Sequence, residues 1–208
     1  MPVENYISAF CTINKGSVSK GGKQLFHNPA DLHELLPAIY HHLQLVYPKF
    51  YKMDNLSKLG WLAAEVLLKD SFDKENYAPE DTAVILANAN SSLDDDLKYL
   101  DSIKDGASPS LFVYTLPNIV IGEICIRNHF KGEQGFYIQA EFDAKFIVQQ
   151  VNYLLDKNIQ HACICGWVDV LKEEYKVVLF LVEKVKKENS VLFSAENMDN
   201  IFSSKTTL

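Results

Sequence analysis

Six successive residues, Thr82-Ala83-Val84-Ile85-Leu86-Ala87, form a short run without a charged side chain. So short and uniformly apolar a run predicts a strand covered on both faces, at the centre of a layered sheet. Segments of helical spacing surround it. Between Asp54 and Lys69, the residues Leu56, Leu59, Leu62, Ala63, Val66 and Leu67 fall on one stripe, with Asp54 or Asn55 placed to cap. Ser91 or Ser92 is placed to cap a helix from Leu93. Asp94, Asp95 and Asp96 lie in its first turn, where the helix dipole favours negative charge. Successive helical residues point in different directions, so these aspartates mark a helix start rather than a metal site.

The remaining pattern completes the order. Asn5 to Ile13, Phe136 to Ala140, Gln160 to Cys165 and Tyr175 to Val185 read as strands. Asn14 to Lys23 reads as a polar loop, and Pro37 as a break or kink in the apolar spacing of Asp31 to Val46. Pro117 opens a helix over Asn118 to Phe130 that Gly132 ends, and Phe142 to Lys157 is a further helix. The order β-α-β-α-β-α-β-β predicts an α/β layer structure whose first four strands run parallel through right-handed crossovers. It occupies residues 1–185. Residues 186–208 read as a mixed, polar tail, with Val191-Leu192-Phe193 and Ile201-Phe202 as docking points.

Composition narrows the function. The 208 residues carry a net charge of -7, and Arg127 is the single arginine, which argues against nucleic acid. Lys49, Lys52 and Lys58 are the nearest thing to a basic patch, and scattered solvated lysines are the simpler reading. An acidic surface also disfavours an acidic carrier protein unless a local patch overrides it. Cys11, Cys125, Cys163 and Cys165 sit in apolar surroundings. Cys163 and Cys165 would share a face on a strand, and without a second Cys/His cluster they read as small buried hydrophobes. No apolar stretch approaches the roughly 20 residues of a membrane span, and no targeting segment is visible. The expectation is a cytoplasmic protein with no cofactor and no metal.

Several motifs bear a family likeness. Ser108 to Ile124 is similar to the segment leading into the active-site half of a β-ketoacyl synthase. Met53-Asp54-Asn55-Leu56-Ser57-Lys58-Leu59 resembles that family's helix-opening motif. Thr82 to Ala87 resembles the strand before its glycine-rich turn, here Asn88-Ala89-Asn90-Ser91-Ser92 without glycine. Gly132 matches the glycine before the nucleophile's strand, Glu141 falls on the nucleophilic cysteine, and Gly166-Trp167-Val168-Asp169 on a terminal Gly-Gly motif. The resemblance runs from about Tyr6 to Asp169. It implies one half of a thiolase-like fold, a single half-fold with a five-stranded mixed sheet flanked by helices.

The departures from the family fall together. Glu133 replaces a proline, Gln139-Ala140-Glu141 replaces Thr-Ala-Cys, and Trp167 replaces the second glycine. Condensation needs a thiolate, activated at a helix N-terminus, to accept an acyl group. Two histidines from the family's second half normally stabilise the developing enolate and oxyanion. The resemblance implies that this half is missing. None of His27, His33, His41, His42, His129 or His161 matches those histidines by motif, and His129 and His161 read as surface or core residues.

Two functions follow. The first is a non-catalytic subunit, similar in part to chain-length factors, in which glutamine replaces the cysteine. It would pair with a second copy or a full-length ketosynthase in fatty-acid, polyketide or polyene synthesis, with an acyl carrier protein as a further partner. The family's dimer interface implies Tyr114, Pro117, Asn118, Glu123, Tyr137, Gln139 and Phe142 as contact residues. The second is a small thioester or β-keto-acid enzyme using Glu141 as general base, which requires an apolar pocket to raise its pKa.

Overall fold

The computed structural model describes residues 4–104 and 106–204. The chain opens with β1 (Tyr6–Asn14), β2 (Ser17–Lys20) and β3 (Lys23–His27). The polar segment expected as a loop is thus mostly strand. Two tight turns make this so. Lys15 (φ 47°) and Gly16 (φ 76°) join β1 to β2, and Gly21 (φ 57°) and Gly22 (φ 80°) join β2 to β3. Paired positive φ values are what two-residue hairpin turns of the right twist require.

Next come α1 (Leu32–His42), α2 (Asn55–Leu68), β4 (Thr82–Asn88) and α3 (Leu93–Ser102). Asp31 caps α1 through the Glu34 amide, and Asp54 caps α2 through the amides of Leu56 and Ser57. Pro37 lies inside α1 without ending it. The carbonyl its missing N–H would have met belongs to His33, an exposed residue, so the lost hydrogen bond falls on the solvent side of the helix.

The second part holds α4 (Pro109–Tyr114), α5 (Ile119–Asn128), β5 (Gln134–Ile138), α6 (Ala144–Asp156), β6 (Ala162–Leu171) and β7 (Glu174–Glu183). The chain continues through β8 (Val191–Leu192) and α7 (Ala195–Ser203). Asn118 is the N-cap of α5, so Pro117 precedes the helix instead of opening it. β5 starts and ends two residues earlier than the apolar pattern suggested.

All strands join one sheet of order β3-β2-β1-β7-β6-β4-β5, with β8 on β1. β4 is parallel to β5 and β6, while β7 runs antiparallel to both β6 and β1. The first four expected strands therefore share a direction, but β1 reaches the others only through the reversed β7. The five expected strands form the middle and one edge. The β2–β3 hairpin and β8 raise the count among the described residues to eight.

Alternation on β4 divides the core. Val84 and Leu86 face a layer of α1, α2 and α5, built on Leu35, Ile39, Trp61, Leu62 and Ile124. Ala83 and Ile85 face α6 and α7 through Ile147, Val151, Leu155 and Met198. Cys163 and Cys165 both point into this second layer, as their spacing predicts. The segment expected as a tail supplies structure: Phe193 donates its amide to the Asn5 carbonyl at 2.8 Å, and Met198 is fully buried.

Candidate functional site

The carboxyl end of β5 carries the position of interest. Gln139 extends the strand's pairing by donating its amide to the Asn88 carbonyl at 2.9 Å. Ala140 and Glu141 then bend away, and the Asp143 carboxylate caps α6 by accepting from the Phe146 amide at 3.0 Å. Asp143, not Glu141, takes the favourable end of the helix dipole. Glu141 is exposed. It lines a shallow cavity of about 440 Å³ with Gln139, Asp143, Lys145 and Asp199. These surroundings are polar and wet, the opposite of the apolar pocket that a general base would need.

Aromatic side chains fill the neighbouring space. Phe142 stacks on Phe202 of α7 with ring centroids 4.1 Å apart and planes at 5°. Trp167 meets Phe142 edge-on at 6.2 Å and Phe202 at 6.4 Å. Trp167 is the residue that stands where the resemblance places a second glycine. The residue beside Glu141 and the replaced glycine therefore pack on each other, and α7 closes over both.

The retained parts of that motif have structural work. Gly166 has φ +143°, and a Cβ there would lie 2.1 Å from the Val178 carbonyl oxygen. The Asp169 carboxylate accepts from the amides of Ala89 and Asn90 and from Asn90 Nδ2 at 2.8 Å. It clamps the glycine-free turn after β4.

The expected contact residues scatter. Glu123 is buried and paired with Lys49 Nζ at 2.8 Å, so it belongs to the interior and Lys49 is not a free basic patch. Tyr114 is half-buried, and burial with the Glu123 carboxylate nearby pushes its hydroxyl up to about 12. Tyr137 packs edge-on against Phe146 at 4.8 Å and donates to Gln150 Oε1. Phe142 is committed to Phe202. Pro117 and Gln139 are half-buried, and Asn118 is exposed. His129 is an exposed left-handed helix cap, and His161 pairs with Asp81 at 3.2 Å.

Two polar features carry no motif. Asp94 accepts from the Lys172 amide, Asn55 Nδ2 and Lys98 Nζ, tying α2, α3 and the β6–β7 turn together. Asp95 is 2% exposed. Burial, then the Asp54 carboxylate, raises its pKa to about 6. The aspartates do begin a helix, but the first two are interior groups, which dipole reasoning alone does not anticipate. Among the described residues, no helix is long and apolar enough to cross a membrane.

No protein-family model and no curated protein matches the sequence. Solved structures do. The ishigamide ketosynthase/chain length factor superposes with TM-score 0.64 at 15% identity, over 86% of this chain and 62% of that one. A type II polyketide synthase ketosynthase in complex with its acyl-carrier protein, AntDE:AntF, gives 0.60 at 13%, over 88% and 63%. The ketosynthase ApeO with its chain length factor ApeC from Xenorhabdus doucetiae gives 0.53 at 13%, over 84% and 76%. The match thus spans less than two thirds of the first two structures' length. The chain has the thiolase-like, ketosynthase-type fold.

Proposed function

We propose that this chain is a non-catalytic partner subunit of a condensing system that makes polyketide, polyene or fatty-acid chains. One observation carries the reading: Glu141, which the resemblance sets at the nucleophile's position, is an exposed carboxylate, and an aromatic block of Phe142, Trp167 and Phe202 fills the space beside it. An acyl group passed from a thioester needs a thiolate to receive it. All four cysteines are buried, and burial raises the thiols of Cys11, Cys125 and Cys165.

What the fold offers instead is an edge. β5 ends the sheet, so its outer N–H and C=O groups are open to pairing with another strand. Ile138 on that strand is 52% exposed, and Phe112, Val113 and Leu116 are about half exposed. Ser108 to Gly122 contains no charged residue. A free strand edge and an uncharged, partly apolar segment each suit a second copy or a full-length ketosynthase. The acidic chain leaves carrier-protein docking to the synthase. The reading places the protein in the cytoplasm, where its free thiols remain reduced.

Affinity capture of the chain with mass spectrometry, alongside light scattering at micromolar concentration, tests it. The expected result is a dimer or a stoichiometric ketosynthase complex. A monomer that retains no synthase overturns it. No observation favours the general-base reading, since Glu141 lies in an open polar loop.

A further inference from the structure

A polar row on the sheet face beside α7 has no part in the partner-subunit reading. The register sets His27 opposite Ser17, and Ser17 opposite Asn14. Thr12 faces Val178, so by alternation Asn14 and Lys176 lie on the same face, one step nearer the sheet's end. His27, Ser17, Asn14 and Lys176 thus run across β3, β2, β1 and β7. Thr12 and Val178 form the floor behind them, and Phe202 of α7 forms a wall. The cavity they line measures about 500 Å³, a volume that suits a small ligand.

Its charge is opposite to that of the molecule. The chain carries a net -7, yet among the described residues the cavity is lined by Lys15, Lys176 and His27 and by no carboxylate. The next residue in the row, Asp169 opposite Lys176, is already occupied by the Ala89 and Asn90 donors. Among the described residues, Lys176 Nζ meets the Phe202 carbonyl, at 3.0 Å, and the Phe202 ring, at 3.4 Å from its centroid. A half-buried ammonium held by a carbonyl and an aromatic face gains from an anion that restores its charge-assisted hydrogen bonds.

We propose that this cavity binds a small molecule with an oxyanion, carboxylate or phosphate, joined to an apolar body. The oxyanion meets Lys176 and Lys15, with the Thr12 hydroxyl as a further donor; the Ser17 hydroxyl already donates to Gln24 Oε1 at 2.7 Å. The apolar body lies along Val178 and Phe202. The site stands independently of any partner subunit.

Titration of the full chain with phenyl phosphate, benzoate and neutral benzyl alcohol tests this, followed by backbone amide shifts. At least one of the two anions should saturate with shifts at Thr12 to Ser17 and Lys176 to Val178, and which one binds tighter identifies the oxyanion. Benzyl alcohol should bind at least roughly tenfold more weakly, about 1.4 kcal/mol. Lys176→Met should weaken the anion roughly tenfold while Lys176→Arg retains it. Lys15→Ala, on an exposed turn, should weaken it about threefold without a change in folding. Equal binding of benzyl alcohol, shifts confined elsewhere, or unchanged affinity in both Lys176→Met and Lys15→Ala overturns the proposal.

Discussion

Gly166 occupies a backbone position that a side chain cannot share, since φ is +143° and the Val178 carbonyl fills the place of a Cβ. Gly166→Ala therefore combines backbone strain with a clash in the central strands. We expect a loss of about 3 kcal/mol or more, or roughly 6–12 °C in Tm, read by thermal unfolding. Asp95 gives a second prediction with a definite sign. Its pKa is raised to about 6 by burial and by Asp54, with smaller contributions from Asp94 and Asp96 and an opposing one from Lys98. The native state binds the proton more tightly than the unfolded chain does, so stability falls as pH rises from about 4 through about 6. Asp95→Asn removes that penalty. It should stabilise the protein by about 1–2 kcal/mol at pH 7.5, after allowance for screening, and by almost nothing near pH 4. Chemical denaturation at the two pH values measures the difference, and an equal effect at both contradicts the assignment. Glu141→Gln, by contrast, alters an exposed loop carboxylate and should shift stability by less than about 0.5 kcal/mol.

Helix α7 is the element that most changes how the Glu141 loop is understood. Its Phe202 stacks on Phe142 and meets Trp167, so Phe202→Ala strips an aromatic wall from both. For a half-buried ring the expected cost is about 2 kcal/mol, below the 3–5 of a fully buried one. A loss under about 0.5 kcal/mol in urea denaturation shows that α7 is not anchored there. Ile201-Phe202 was legible as a docking point because an apolar pair in a polar segment must be covered. Its target was not legible, since Trp167 and Phe142 stand 35 and 60 residues away in the chain and meet it only through the sheet. The central strands were legible from apolar runs alone. The β2–β3 hairpin left its signal in Lys15-Gly16 and Gly21-Gly22, but a four-residue strand with two adjacent buried residues and a five-residue strand that is mostly exposed lack a period-two pattern. The start of β5 was misplaced because pairing sets it: the Glu133 carbonyl accepts from the Val84 amide, whereas the apolar residues begin at Phe136. The six-residue α4 is too short to show a helical period.

The whole sheet has two unlike edges. At one end β3 exposes Lys23, Gln24 and His27, the charged and polar decoration that discourages edge pairing. At the other end β5 has no such protection along its length: its five residues, Gln134 to Ile138, carry no charge. On a molecule of net charge -7, general repulsion between copies opposes random association, so an uncharged edge concentrates contact at one place. Alternation sets Ile138 on the same face as Phe136, which packs against the α2–α5 layer. A charge at 138 would therefore face an incoming strand and its covering helix together. Ile138→Lys should raise the dimer dissociation constant at least tenfold, about 1.4 kcal/mol, because a partner must bury the ammonium or leave part of the edge unpaired. Leu25→Lys on β3 changes a residue of similar exposure, 40% against 52%, and should leave association unchanged. Sedimentation velocity of the two variants over the same concentration range separates the edges. Equal weakening by both variants shows that contact is not confined to β5, and weakening by Leu25→Lys alone moves the interface to β3; either result overturns pairing through β5.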